Sequence, residues 1–303
     1  MHRRSVCLVF FILVPLIAQD TFSIVAIDTI TGEVGSAGAS CIAGSIIISD
    51  VHPGVGAIHT QAYWISTNQQ NASDLMNNGY SPQEIIDWLV ENDVQNNPSI
   101  RQYGIVDMID GGRSAAYTGE DCDDHKNHVT GDTYAIQGNI LLGQDILDDM
   151  ETAFLNSFGT LDEKLLSAME AANVPGADTR CMDHGIPALS AFIRMARLEN
   201  IADSLYMDIN VNGVPIVTNP IDSLYQLYWD WKRTKFTLGD IDHDRSIDII
   251  DVLFLADLID GTISPTEFQI DPADMNNNGQ IEISDLYVLV FYIVGTVGCM
   301  FCT

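Results

Sequence analysis

Two stretches near the end of the chain repeat one pattern of oxygen-bearing side chains, and that pattern leaves little freedom in what they can form. The first runs from Asp240 through Asp242, Asp244, Ser246 and Asp248 to Asp251; the second runs from Asp274 through Asn276, Asn278, Gln280 and Glu282 to Asp285. In each, the oxygens fall at positions 1, 3, 5, 7, 9 and 12 of a twelve-residue loop, which is calcium-loop spacing. Alternate residues of a tight loop converge on one point, position 7 needs only its backbone carbonyl, and position 12 reaches back from the following helix. Ile247 and Ile281 stand at position 8, where a short apolar contact pairs the two loops. Each loop precedes an apolar helical stretch, Val252 to Ile259 and Leu286 to Val294. Acidic turns that bind nothing are the alternative, but two copies at one spacing weigh against it. We therefore expect two calcium ions in a small all-α domain over residues 239–296. Arg245 replaces the usual glycine at position 6 of the first loop.

The rest of the composition narrows the function. The 303 residues carry 13 basic and 42 acidic side chains, a formal charge of −29. Such an excess argues against nucleic-acid partners and anionic membrane surfaces, and it suits divalent cations. Met1 to Arg4 is basic and Val6 to Ala18 is apolar but short of the roughly 20 residues a span needs, so residues 1–19 read as a secretory signal peptide. No transmembrane anchor is expected elsewhere; Leu286 to Val297 fits a helix of the C-terminal module. The protein is expected outside the cytoplasm, extracellular or periplasmic. Residues 20–232 form the first domain, 233–238 a linker, and 297–303 a cysteine-containing tail.

Within the first domain, small and apolar residues mark strands at Thr21–Asp28, Glu33–Ser40, Ser45–Ser49 and Gly54–Thr60. Glycine and alanine on the second leave room for another backbone or a ligand. Helices are expected at Trp64–Asn78 and from the capping box Ser81-Pro82-Gln83-Glu84. Strands follow at Tyr103–Ile109, Ser114–Thr118 and Thr133–Asn139, with Asp121–Asp132 a polar loop. Gly143–Asn156 and the capping box at Thr160 give two more helices, Leu189–Met195 and Leu205–Val211 two strands, and Asn219-Pro220 opens a last helix. Paired strands alternating with paired helices suggest a layered α+β domain.

Both parts of the chain resemble known families. The two loops with their aspartates at position 12 resemble a type I dockerin, which implies calcium-dependent folding and docking onto a cohesin-like partner; the positions that set dockerin specificity are here Ile249-Ile250 and Ile283-Ser284. Segments such as TFSIVAID, TGEVGSAGAS, GVGAIHTQA, RQYGIVD, YAIQGNILLG and PGADTRC, in order from Thr21, are similar to the domain of unknown function 1028 family. That resemblance implies the four-layer αββα sandwich of the N-terminal-nucleophile hydrolases, in which an N-terminal Thr, Ser or Cys attacks a carbonyl and its own α-amine is the base. Thr21 is then the candidate nucleophile, once Gln19 and Asp20 are removed. Asn139 in QGN is a candidate oxyanion donor, and Asp178 and Arg180 in GADTR a candidate clamp for a substrate carboxylate, or else a structural ion pair. Gln61 is a candidate substrate contact, and His59 reads as a packed histidine.

Cysteine gives a rival chemistry. Cys122, His125 and His128 share the spacing of Cys181 and His184, so five side chains could hold zinc and activate water. Export favours a Cys122–Cys181 disulfide instead, and Cys299 with Cys302 reads as a local disulfide or a redox-inert tail. The expectation is thus an exported amidohydrolase of the N-terminal-nucleophile type, tethered through its calcium module. The alternatives are a catalytically silent binding protein on the same fold and, third, a zinc hydrolase.

Overall fold

A computed structural model describes residues 21–201, 204–235, 237–244, 246–265 and 269–295. The signal segment, Gln19-Asp20, Arg245 and the cysteine tail lie outside the described residues.

Strand β1 (Phe22–Asp28) is buried along nearly its whole length. It pairs antiparallel with β2 (Glu33–Ser40) on one side and β8 (Tyr134–Gly138) on the other. The β1–β2 turn closes through the Asp28 carboxylate, which accepts from the Ile30 amide at 2.8 Å, and Gly32 takes the positive φ of 76° that the turn requires. With β7 (Asn127–Gly131), β9 (Ser190–Ala196) and β10 (Met207–Val211), these strands make a six-stranded sheet in the order β10-β9-β2-β1-β8-β7. Strands β3 (Ser49–His52), β4 (Gly56–Ala62), β5 (Arg101–Asp107) and β6 (Arg113–Thr118) form a four-stranded sheet in chain order.

The two sheets meet across Val25, Ile27, Val51, Ala57, Val106 and Ala135. Helices α1 (Ser66–Asn77) and α2 (Pro82–Glu91) lay Met76, Ile85 and Leu89 on Ile58, Tyr103 and Ile105 of the smaller sheet. Helices α3 (Asp145–Asn156), α4 (Leu161–Ala171) and α5 (Pro220–Arg233) cover the larger sheet. Leu165, Leu166 and Met169 of α4 are buried in that core, each contributing about 1.5–3 kcal/mol. The small residues of β2 permit this: a Cβ on Gly35 would sit 2.3 Å from Leu165 Cδ1. The room expected for a backbone or ligand is taken by α4.

The capping boxes at Ser81 and Thr160 form as the sequence requires, and Asn219 caps α5 by accepting from the Ile221 and Asp222 amides. Two expectations fail. Ser45–Ile48 is a 3₁₀ turn rather than a strand, because Ser190 Oγ binds the Ser45 amide and donates to the Ile42 carbonyl. The expected polar loop at 121–132 contains an edge strand, β7, whose polar residues need no buried face because only β8 pairs with it.

In the C-terminal part, α6 (Ile249–Ile259), α7 (Ile270–Ala273) and α8 (Ile283–Ile293) enclose Ile241, Leu255, Leu258, Ala273, Met275 and Leu289. Both long helices start three residues earlier than expected. Asp248 with Asp251, and Glu282 with Asp285, form capping boxes at their first turns. Among the described residues no helix is long and apolar enough to cross a membrane.

Candidate functional site

Thr21 stands immediately before β1 and is 1% exposed. Its carbonyl accepts from the Asn139 amide at 3.2 Å and from Gln61 Nε2 at 3.1 Å. The register that pairs Phe22 with Ala39 sets Thr21 beside Ser40. Ser40 Oγ accepts from Arg180 Nη2 at 3.4 Å. The Arg180 guanidinium forks onto the buried Asp178 carboxylate, Nε to Oδ1 at 3.0 Å and Nη2 to Oδ2 at 2.6 Å. Asp178 also accepts from the Cys41 amide at 2.8 Å and caps the 3₁₀ turn Thr179–His184. Thr21, Gln61, Asn139, Asp178 and Arg180, which come from four places in the sequence, therefore meet at one end of the two sheets.

The side chains of Gln61, Asn139, Asp178 and Arg180 are each held by the protein itself. Gln61 Oε1 accepts from Ser23 Oγ at 2.6 Å, and Gln61 Nε2 also donates to Gln102 Oε1 at 2.7 Å. Asn139 Nδ2 donates to the same Gln102 oxygen at 2.9 Å, while the buried Asn139 Oδ1 finds no hydrogen-bond partner. Gln102 Nε2 in turn donates to the Gly138 carbonyl and to Thr118 Oγ1, both at 2.9 Å. Sequence reasoning missed Gln102, as it missed Ser23, Ser36 and Gln137. Their signal was a polar side chain within a strand that is buried along nearly its whole length.

Beyond Gln61 the network continues through His59, which is fully buried. His59 Nε2 lies 2.6 Å from Ser36 Oγ and Nδ1 lies 2.9 Å from Ser23 Oγ and 3.2 Å from Gln137 Nε2. Burial first, and the charge of Arg194 second, push its pKa down to about 3, so the ring is neutral. The packed histidine expected from the sequence is what the fold contains.

The cysteines pair differently from the expectation. Among the described residues a disulfide joins Cys41 to Cys181, with Cα atoms 5.7 Å apart, and not Cys122 to Cys181. Cys122 is a buried thiol whose Sγ donates to the Arg101 carbonyl at 3.3 Å. Cys41 follows directly on β2 and faces the 3₁₀ turn that carries Cys181, a proximity that only the fold creates. The bridge ties the Asp178–Arg180 segment to Ser40. It also removes Cys181 from any zinc set, and His125 and His128 turn to Gln144 and Thr118. Non-reducing peptide mapping of the intact protein is expected to give a linked pair containing Cys41 and Cys181, unchanged by Cys122→Ser; a Cys122–Cys181 pair would overturn the assignment.

In the first C-terminal loop the carboxylates of Asp240, Asp242 and Asp244 lie within 4.8 Å of one another. Burial, then the neighbouring Asp244, Asp251 and Asp248, raise the Asp242 pKa. Asp251 reaches back to accept from the Ile241 amide at 2.6 Å and the Asp248 amide at 2.9 Å. In the second loop Asp274 accepts from the Asn278 and Gly279 amides at 2.9 and 2.7 Å, and Asp285 from Asn276 and Glu282 at 3.1 and 2.8 Å. Asn276 Oδ1 is buried without a hydrogen-bond partner. An all-oxygen donor set, crowded carboxylates and an orphaned amide oxygen fit a hard divalent cation. Asn278 Oδ1 accepts from Gln280, and Ser246 and Asp248 complete the first loop.

Comparison with known proteins sets this site in context. The model of a family of unknown function, DUF1028, matches residues 21–224. The chain belongs to the DUF1028 family. The model of the dockerin type I domain matches residues 238–294. Dockerin type I domains bind calcium and dock onto cohesin partners. A crystal structure of a DUF1028 protein from Silicibacter pomeroyi is 24% identical, with a TM-score of 0.58 over 76% of this chain and 100% of that one. The likeness shows the DUF1028 fold. A mutant of Anbu from a Hyphomicrobium strain is 11% identical, with a TM-score of 0.38 over 71% of this chain and 96% of that one, too slight a likeness to bear on function. No curated protein matches.

Proposed function

We propose that this DUF1028 protein is an exported amidohydrolase of the N-terminal-nucleophile type, tethered to a cohesin-like partner by a dockerin module that holds two calcium ions. The two facing sheets, with helices outside each, are the arrangement an αββα sandwich requires. The observation that carries the reading is the setting of Thr21. It stands at the head of the central strand, its carbonyl fixed by Gln61 and Asn139, beside Ser40 and the Arg180–Asp178 pair. Once the chain is cut before Thr21, its hydroxyl is the nucleophile and its α-amine the base. Asn139 lies against it as the oxyanion donor. Arg180, with its side chain 29% exposed, orients a substrate carboxylate. Gln61 has no amide atom to spare, so its part is to position Thr21. In the module, Asp240, Asp242, Asp244, Ser246, Asp248 and Asp251 hold one ion; Asp274, Asn276, Asn278, Gln280, Glu282 and Asp285 hold the other.

A second reading has its own support. Gln61 and Asp178 are fully engaged by the protein, and Thr21 is buried, which suits a binding protein on a silent hydrolase fold. The mass and N-terminal sequence of the secreted protein separate the two. A start at Thr21, with amide cleavage that Thr21→Ala lowers by at least about 10³-fold, supports the enzyme. A stable start at Gln19 or Asp20 leaves Thr21 without a free amine and overturns it.

A further inference from the structure

The first calcium loop touches the first domain through His243. His243 occupies position 4 of the first loop, between Asp242 and Asp244. Its φ of 63° is left-handed, and at 8% exposure the side chain is buried. Nδ1 lies 3.3 Å from Glu163 Oε1 in the first turn of α4. Glu163 is itself held: the same oxygen lies 3.3 Å from Lys232 Nζ, and Lys232, at the end of α5, sits 2.7 Å from Asp162. The equivalent residue of the second loop, Asn277, has a similar φ of 56° but is exposed.

Charge makes this contact conditional. A cleft of about 680 Å³ lies between the two parts, lined by Asp28, Glu33, Glu163 and Glu170 on one side and Asp242 and Asp244 on the other. Glu33 is paired with Arg197 and Glu163 with Lys232, each at 3.3 Å, but Asp28 and Glu170 bring no cation to the cleft. Without a metal ion the loop therefore brings Asp242 and Asp244 to a cleft that stays net negative, a repulsion that strengthens as the cleft loses water. A divalent ion in the loop cancels that repulsion at the point where His243 meets Glu163.

We propose that calcium in the first loop clamps the dockerin module onto the first domain through the His243–Glu163 contact, so that loading this one site stiffens α4. The clamp rests on the reading of the loop as a calcium site. Coupling of this kind is reciprocal: what calcium does for α4, the α4 contact does for calcium.

The test uses the full chain. His243→Asn places in the first loop the residue the second loop uses, which tolerates the left-handed φ. Glu163→Gln removes the charge and retains an oxygen to accept from the Thr160 amide. Calcium is titrated by calorimetry, and hydrogen exchange of α4 is followed with and without it. In the unmutated protein calcium is expected to slow exchange in the first turn of α4 by roughly fivefold or more. Both variants should lose that protection while still binding calcium, with one site weakened roughly fivefold and the other unchanged. Equal calcium protection of α4 in all three proteins overturns the clamp. Calcium binding without any effect on α4 in the unmutated protein overturns it too, and leaves the calcium reading standing. An absence of calcium heat in the unmutated protein overturns both.

Discussion

Stripping calcium from the full chain is expected to unfold α6 and α8 and to leave the two-sheet domain standing. Among the described residues six buried apolar side chains form the core of the C-terminal module, few for a segment of this length, and small domains without a large core depend on a staple. The staple here is the cation. Without it, three carboxylates remain within 4.8 Å of one another, and their repulsion opposes the loop that organises the helices. Binding free energy for a metal in such a module is folding free energy. A chelator should therefore abolish protection from hydrogen exchange in α6 and α8 and lower the helical signal, and added calcium should restore both. Asp251→Ala should reproduce the loss at the first loop, because that carboxylate both caps α6 and accepts from the Ile241 amide. Helices indifferent to chelator would remove the calcium reading.

Mild acid is expected to destabilise the first domain before its carboxylates titrate, and His59 is the reason. Burial holds its pKa at about 3 in the folded protein, below the ordinary value of about 6.5. The unfolded chain therefore takes up a proton below about pH 6.5 that the folded protein refuses, and stability falls with pH. The loss is about 1.4 kcal/mol per pH unit, so roughly 2 kcal/mol by pH 5 and roughly 4 kcal/mol by pH 3.5. Two other histidines titrate in the window from pH 6.5 to 5. Burial lowers the His128 pKa and adds to the loss, whereas Asp50 raises the His52 pKa against its burial and opposes it. The share of His59 is therefore the difference between the unmutated protein and a variant at that position. Denaturant unfolding at a series of pH values measures the slope, and His59→Gln, which keeps a polar side chain between Ser23 and Ser36 but does not titrate, should flatten it. A slope unchanged by His59→Gln would mean that other groups carry the acid sensitivity.

How far the sequence reached depended on the range of the interaction. Capping boxes at Ser81 and Thr160 were legible because all their partners lie within four residues. Strand β2 was legible to the residue, since its run of small side chains fits only a buried strand. The edge strand β7 was not, because it has no buried face to impose alternation. Thr21 was singled out by a family resemblance, and Asn139, Asp178 and Arg180 by the polar, turn-like segments that carry them; no local spacing contains their gathering.

The sequence by itself determined the two acidic loops of the dockerin module. Their oxygen-bearing side chains recur within twelve residues, and the loop geometry follows from backbone turns and the position-12 carboxylate. Only the tertiary structure decided which cysteine meets Cys181, since Cys41 is 140 residues away and a spacing argument cannot see that far. It likewise decided that Gln102 stands behind both Gln61 and Asn139, and that His243 rests on Glu163. Each of these contacts joins elements whose approach is set by how two sheets and their helices pack, a long-range outcome of burying apolar area that has no signature in any short stretch of chain.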